Sequence, residues 1–237
     1  HLISLEWLNG HDLTPESEPL VLPSGDSRPV HSTVYPHEDQ DMVFLNLFRT
    51  EKIGVDITSG EVIWRRPSEP SHNQTEGRFA GFADANEDGT WDIAMPGLYG
   101  DITVFDGATG ATLRRICLRD AEVSLLAQEA SSELCAATTP VSSIAVADID
   151  SDGDDDYIAG TSRGWLYAID ARTGDAIWSM FLLRQIGDPI LTDFDADGMV
   201  EIVATTANSQ IIGIDQAKVA PVSEVREVLI TGSNTVV

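Results

Sequence analysis

Residues 148–178 read DIDSDGDDDYIAGTSRGWLYAIDARTGDAIW. An acidic turn with a central glycine opens the stretch, and an apolar run from Tyr157 follows it. After a short break, Leu166-Tyr-Ala-Ile-Asp170 alternates into Thr173-Gly174 and a second apolar run that ends at Trp178. Alternation at period two marks half-buried strands, and the Thr-Gly pair supplies a flexible turn between them. The stretch therefore reads as an acidic loop, a strand and a hairpin.

The same pattern recurs outward from this unit. Hairpins start at Ile53 (IGVDITSGEVIWRR) and Ile102 (ITVFDGATGATLRR), and a fourth copy at Gln210 (QIIGIDQAKV) keeps the first strand but lacks the turn glycine. Each is preceded by a strand that an acid introduces: Asp41, Asp92, Asp156 and Glu201. The spacing from that acid to the hairpin aspartate is 15 residues from Asp41 to Asp56, and 14 from Asp92 to Asp106, Asp156 to Asp170 and Glu201 to Asp215. Successive hairpin aspartates lie 50, 64 and 45 residues apart. A period near 45 with three or four short strands per unit matches a β-propeller, whose small sheets bury their faces only against neighbours. A β-sandwich with accidental self-similarity does not account for the constant inner spacing. The expected fold is all-β with about four readable blades, either an incomplete propeller or part of a larger one.

Three units carry one acidic motif, D-x-[DN]-x-D-G-x-x-[DE]. Its members are Asp84, Asn86, Asp88, Thr90 and Asp92; Asp148, Asp150, Asp152, Asp154 and Asp156; and Asp193, Asp195, Asp197, Met199 and Glu201. Side chains at positions 1, 3 and 5 converge when such a loop curls, the glycine at 6 permits the turn, and the carbonyl at 7 adds an oxygen, here from Thr90, Asp154 or Met199. Hard oxygens in this number suit Ca²⁺ better than Mg²⁺, which demands a smaller octahedron, or zinc, which prefers nitrogen and sulfur. Position 12, where an EF-hand has a bidentate Glu, is Met95, Ala159 or Ala204. The acid at position 9 is then the expected closing ligand, with two or three calcium ions in all. Acidic runs are usually solvated turns, but three in one register of a repeat are a pattern rather than a run.

The chain has 237 residues, 39 acidic and 14 basic, for a net charge of −25. That balance excludes nucleic acid and anionic membranes as partners and favours cations, and no apolar run is long enough to insert in a bilayer. Cys117 and Cys135 bracket an insertion in the longest interval, between the second and third hairpins. A disulfide there, rather than two free structural thiols, implies an oxidising compartment, and the spacing suits no zinc site. Asp120 to Glu133, rich in Ala, Leu, Glu and Ser, reads as a short helix. Residues 1–40, rich in proline, read as an extended arm that crosses the propeller or supplies a missing strand; 41–216 hold the repeats, and 217–237 a tail or last strand. Asn73-Gln-Thr75 is a glycosylation sequon. Trp64 and Trp178 occupy one hairpin position and read as packing between blades, whereas Trp91 and Trp165 are candidates for contacting a partner.

The loops resemble FG-GAP repeats of integrin α-type propellers, and the hairpins are similar to those of quinoprotein-like (PQQ-like) propellers. The segment from Val146 to Trp178 also looks like pilus-tip adhesin propellers. The resemblance implies calcium loops that stabilise blades and a ligand, protein or glycan, held on a propeller face. The five histidines lie outside the clear repeats, and there is no metalloprotease, nucleophile-elbow, P-loop or dinucleotide motif. The expectation is a non-catalytic binding, adhesion or assembly module that is extracellular, on the cell surface or periplasmic, and able to form homo- or hetero-oligomers. Two alternatives stand beside it: a structural subunit of a surface filament or larger complex, and a quinoprotein-like dehydrogenase or polysaccharide-cleaving propeller enzyme.

Overall fold

Every regular element among the described residues is a β-strand, and the strands follow one another into small antiparallel sheets. The computed structural model of the chain describes residues 2–5, 19–23, 29–37, 40–47, 49–69, 78–119, 122–126, 135, 139–215 and 226–230. A hairpin of β1 (Leu2–Leu5) and β2 (Leu20–Pro23) comes first. The first sheet is β3 (Pro29–His37), β4 (Gln40–Leu47), β5 (Glu51–Asp56) and β6 (Val62–Pro67). The second is β7 (Gly81–Ala83), β8 (Asp92–Pro96), β9 (Asp101–Phe105), β10 (Thr112–Arg119) and β11 (Glu122–Leu126). The third is β12 (Val141–Ala147), β13 (Asp156–Thr161), β14 (Trp165–Asp170) and β15 (Ala176–Phe181). The fourth is β16 (Ile190–Thr192), β17 (Glu201–Thr205), β18 (Ile211–Asp215) and β19 (Arg226–Ile230). Within each sheet every strand pairs with the next in sequence, and β12 packs against both β7 and β16, so the leading strands of the second, third and fourth sheets gather on one side. Four such sheets packed face to face make an incomplete β-propeller.

The faces interleave by residue type. Met42, Phe44, Trp64 and Tyr35 of the first sheet meet Ile93, Met95 and Phe105 of the second. Ala94, Ile102, Val104 and Ile116 of the second meet Tyr157, Ala159, Tyr167 and Ile169 of the third. Ile158, Leu166 and Ala168 of the third meet Ile202, Ala204, Ile212 and Ile214 of the fourth. Buried on both faces, these strands read as nearly continuous apolar runs, where a sheet with one wet face alternates.

The hairpin aspartates set the turns. Asp56 Oδ1 accepts from the backbone N–H of Thr58 (2.7 Å) and Ser59 (2.8 Å), and Asp170 Oδ1 does the same from Arg172 (2.8 Å) and Thr173 (2.9 Å). Asp106 Oδ1 accepts from Thr109 N (2.7 Å). The backbone N–H of Gly60, Gly110 and Gly174 then returns to the aspartate carbonyl, with the glycines at φ 72°, 69° and 78°. Those angles lie in the left-handed region that glycine adopts without steric cost. The N–H of Ser59 is the main reason the Asp56 carboxyl sits below its ordinary range.

Three sequence expectations change. Residues 122–126 form the edge strand β11, not part of a helix: they pair with β10 from Arg115↔Leu126 to Arg119↔Glu122, and Val123 packs on the core. Pairing to the open edge of β10 outweighs local helix propensity, while the remainder of Asp120–Glu133 lies outside the described residues. The boundary at residue 40 cuts a sheet, because Pro29–His37 pairs with β4; of the two roles expected for the arm, it supplies a strand. Finally, Asp56 pairs with Met42, whereas Asp170 pairs with Asp156. The extra residue in the first unit's spacing therefore shifts Asp41 by one, and Met42 occupies the place of the strand-opening acid. The Cys117–Cys135 disulfide is present, both cysteines being buried, and β19 is the last strand. The Asn73 sequon lies outside the described residues.

Four residues before each hairpin aspartate stand Lys52, Ile102, Leu166 and Ile211. Lys52 is fully buried, its Nζ lacks a hydrogen-bond partner, and it lies 5.3 Å from the centroid of the Phe105 ring. Burial pushes its amine down to about 8, against the attraction of Glu69 and Asp101 and with the help of Arg66 and Arg115. Lys52→Met is expected to stabilise the chain by about 1–3 kcal/mol, since an apolar side chain removes an unsatisfied buried charge. The folded state holds fewer protons than the unfolded one between about pH 8 and 10.5, so the wild type gains stability as pH rises through that window, by about 3 kcal/mol in full. Urea unfolding of both proteins across pH 7–10.5 checks this; an equal response of the two would contradict it.

Candidate metal centre

The three acidic turns fold alike, down to individual hydrogen bonds. The first aspartate grips the backbone of positions 5 and 6: Asp84 accepts from Asp88 N (3.0 Å) and Gly89 N (2.9 Å). Asp148 accepts from Asp152 N and Gly153 N at 3.1 Å each, and Asp193 from Asp197 N and Gly198 N at 3.1 Å each. Position 3 caps the same N–H, with Asn86, Asp150 and Asp195 Oδ1 at 3.1, 3.2 and 3.1 Å. Position 5 accepts from the N–H of position 7, so Asp88, Asp152 and Asp197 receive Thr90 (2.8 Å), Asp154 (2.9 Å) and Met199 (2.7 Å).

Backbone angles repeat as well. Position 4 is left-handed in all three (Glu87 59°, Ser151 64°, Ala196 61°), and so is the glycine (Gly89 88°, Gly153 100°, Gly198 88°). A Cβ at Gly89 or Gly153 would meet nothing within 4 Å, so conformation and not space requires glycine there. The acid at position 9 closes the base of each loop by accepting from the N–H of position 2: Asp92 from Ala85 (2.9 Å), Asp156 from Ile149 (2.7 Å) and Glu201 from Phe194 (2.7 Å). That closing contact was not legible in the motif, whose spacing pointed to a ligand role alone.

The loops differ in what they offer a cation. Asp193, Asp195, Asp197 and Glu201 bring carboxylate oxygens within 4.8 Å of one another, and so do Asp148, Asp150 and Asp152 without Asp156. Glu201 is fully buried and its Oε1 has no hydrogen-bond partner. In the first loop Asn86 replaces a carboxylate and its amide donates to Asp88 Oδ2 at 2.9 Å, while Asp92 gives its second oxygen to Gly107 N at 3.0 Å. Burial pushes the Asp92 and Asp156 carboxyls up to about 7, with further upward pressure from Asp88 and Asp106 on Asp92 and from Asp150 and Asp152 on Asp156. Asp150 is also raised, by burial first and then by Asp152. An orphaned buried oxygen and carboxylates that cannot all ionise in comfort fit a divalent cation bound by oxygen.

Two arginines that the motif did not flag tie these turns together. Arg172 pairs with Asp154 at 3.0 Å and with Glu87 at 3.3 Å, joining the second loop to the first. Arg114 donates to Ala85 O (2.9 Å), Ala171 O (2.7 Å) and Arg172 O. Neither position repeats between units, so the pattern carried no signal for them. Strand direction places the acidic loops and hairpin turns at one end of the sheets and the β13–β14 turn at the other. At that second end a cavity of about 260 Å³ is lined by Arg119, Thr139, Thr161, Arg163, Trp165 and Tyr167 among others. Trp165 leans on Phe181 (5.1 Å between centroids), while Trp91 is exposed beside the first loop. Trp64 and Trp178 lie in the contacts between sheets, as packing residues.

These features define a β-propeller section with acidic turns at one end. No protein-family model and no curated protein matches the chain. Among solved structures it is similar to Sqt1 of Saccharomyces cerevisiae (13% identity, TM-score 0.57, covering 94% of this chain and 55% of that one). It is also similar to BBS1N in complex with ARL6DN (10%, 0.57, 87% and 57%) and to BamB from Moraxella catarrhalis (13%, 0.48, 80% and 64%). The chain thus spans less than two thirds of the length of these structures, and the likeness is one of fold. Among the described residues no helix is long and apolar enough to cross a membrane.

Proposed function

We propose that this chain is a calcium-stabilised propeller module that binds a protein partner or builds an assembly, without catalysis, in an oxidising compartment outside the cytoplasm. The observation that carries it is the unpartnered, buried Oε1 of Glu201, whose carboxylate is gathered within 4.8 Å of those of Asp193, Asp195 and Asp197. Asp193, Asp195, Asp197 and Glu201 would hold one ion, and Asp148, Asp150 and Asp152 a second, with Asp156 and the Asp154 carbonyl completing that set. Asp84, Asn86 and Asp88 would hold a third, weaker one, because affinity rises with ligand charge. Bound calcium supplies charge neutralisation; the chain's own residues fix the loop and strand starts. One geometry repeated in three blades speaks for a structural role, since a reaction centre needs one specialised site.

The opposite end, with the cavity beside Arg163 and Trp165, is the surface left to meet a partner. A protein is favoured over a glycan because BBS1N, a structure of similar fold, was solved in complex with ARL6DN. The Cys117–Cys135 disulfide supports the oxidising compartment, and the acidic turns support kinship with FG-GAP-type calcium loops. Calorimetric titration of the calcium-free chain is expected to resolve two stronger sites and one weaker. Glu201→Gln should remove one strong site and leave the others; a titration without heat, or one unaltered by Glu201→Gln, would refute the assignment.

A further inference from the structure

Arg172 bridges two acidic turns whose backbones do not need it. Its Nε lies 3.0 Å from Asp154 Oδ2, at position 7 of the second turn, and its Nη1 lies 3.3 Å from Glu87 Oε1, at position 4 of the first. Those two positions differ between the turns: position 4 is Glu87, Ser151 or Ala196, and position 7 is Thr90, Asp154 or Met199. The third turn, with Ala196 and Met199 there, has no carboxylate at either place, yet it keeps the hydrogen bonds and left-handed angles of the other two. The pairs made by Arg172 therefore do not shape the turns. What they change is charge.

We propose that Arg172 is a resident counter-ion shared by the first two turns, which lowers their affinity for calcium and helps hold the second and third sheets together when calcium is scarce. This rests on the calcium reading above and adds to it the residue that sets affinity. Arg114 of β10 donates to Ala171 O at 2.7 Å, to Arg172 O, and to Ala85 O of the first turn at 2.9 Å. Ala171 N donates in turn to Asp155 O of the second turn at 3.2 Å. These contacts fix the backbone of Arg172 between the two turns, and only its side chain has to reach. The field of Asp154, then that of Glu87, holds the guanidinium above its ordinary range. Asp154 has two parts to play: its carbonyl is the candidate ligand at position 7, and its carboxylate pairs with Arg172. Ion and guanidinium would thus flank one residue, roughly 8 Å apart. Arg172 is 47% exposed, so its surroundings are water-like; a single and a double charge at about that distance repel enough to weaken binding by about fivefold before salt screens them. The same positive charge offsets the crowding of carboxylates when no ion is bound. A group that favours the ion-free form over the ion-bound one lowers affinity by linkage.

The test is calcium titration of the whole chain and of Arg172→Gln and Arg172→Lys, each repeated in the Glu201→Gln background to isolate the first two sites. Arg172→Gln is expected to tighten those two sites by about three- to fivefold in about 20 mM salt and by less than about twofold in about 0.5 M. Arg172→Lys keeps the charge and should stay within about twofold of its parent, as should the third site in either variant. In chelator, Arg172→Gln should lower the melting midpoint by about 1–3 °C, and saturating calcium should close or reverse that gap. Affinity that is unchanged or weaker in Arg172→Gln, or an Arg172→Lys that matches Arg172→Gln, overturns the proposal and leaves the calcium reading intact. A wild type that binds no calcium ends both.

Discussion

With calcium removed by a chelator, the chain is expected to unfold about 10–25 °C lower than in 1 mM calcium. A ligand that binds only the folded state stabilises it by RT ln(1 + [L]/Kd); for a dissociation constant of about 10 µM that is about 2.7 kcal/mol per site. Two or three sites then contribute about 5–8 kcal/mol, comparable with the whole stability of many domains. In a chain of this size each kcal/mol moves the midpoint by about 2–4 °C. The effect is large because the turns hold Asp148, Asp150 and Asp152 together, and Asp193, Asp195 and Asp197 beside a buried Glu201, so like charges crowd one another. Sodium chloride at the same ionic strength screens this repulsion only partly, and magnesium at equal concentration restores only a fraction of the loss. Scanning calorimetry with and without chelator is the measurement. An unchanged midpoint would end the structural-metal reading.

Trp64→Ala is expected to cost about 3–5 kcal/mol in urea unfolding, the second large effect. Trp64 fills the contact between the first two sheets: its ring lies where Cβ atoms on Gly54 and Gly110 would come within 2.3 and 2.6 Å of it, and its Nε1 donates to Gly107 O at 2.8 Å. Tyr35 donates to that same carbonyl at 2.7 Å. The indole takes the room a Cβ would need at both glycines, Gly110 being held to glycine by its φ of 69° as well, so the backbone on either side presents no side chain to fill the hole that alanine leaves. Trp64→Phe should cost less, keeping most of the ring but losing the N–H donor, while calcium affinity stays at the wild-type value in both variants. A loss below about 1 kcal/mol for Trp64→Ala would mean that the two sheets are held some other way.

The repeat was readable because propeller sheets have no remote partners: the strand, turn and loop signals of each unit lie within about 45 residues and recur. Asp-Gly spacing in the turns was legible for the same reason, since positions 1, 3, 5 and 6 answer to local backbone geometry. What failed was decided by edges and by neighbours. Glu122–Leu126 has helical composition and yet extends, because β10 offered a free edge. The Met42↔Asp56 pairing moved the first unit by one residue, a choice made by which side chains of β4 face the second sheet. Arg114 and Arg172 join units, and a signal that lives between repeats is averaged out when the repeats are compared. The dual duty of Asp92, which ties loop to hairpin through Ala85 and Gly107, is of the same kind.

The peptide N–H groups of positions 5, 6 and 7 already point at the carboxylates in all three turns. On the calcium reading, an ion arriving at the third turn would find Asp193, Asp195, Asp197 and Glu201 already gathered, whereas at the second turn Asp156 would have to join Asp148, Asp150 and Asp152. Entry to the third turn would then be set by shedding of the ion's own water, with the Asn86 turn the first to empty.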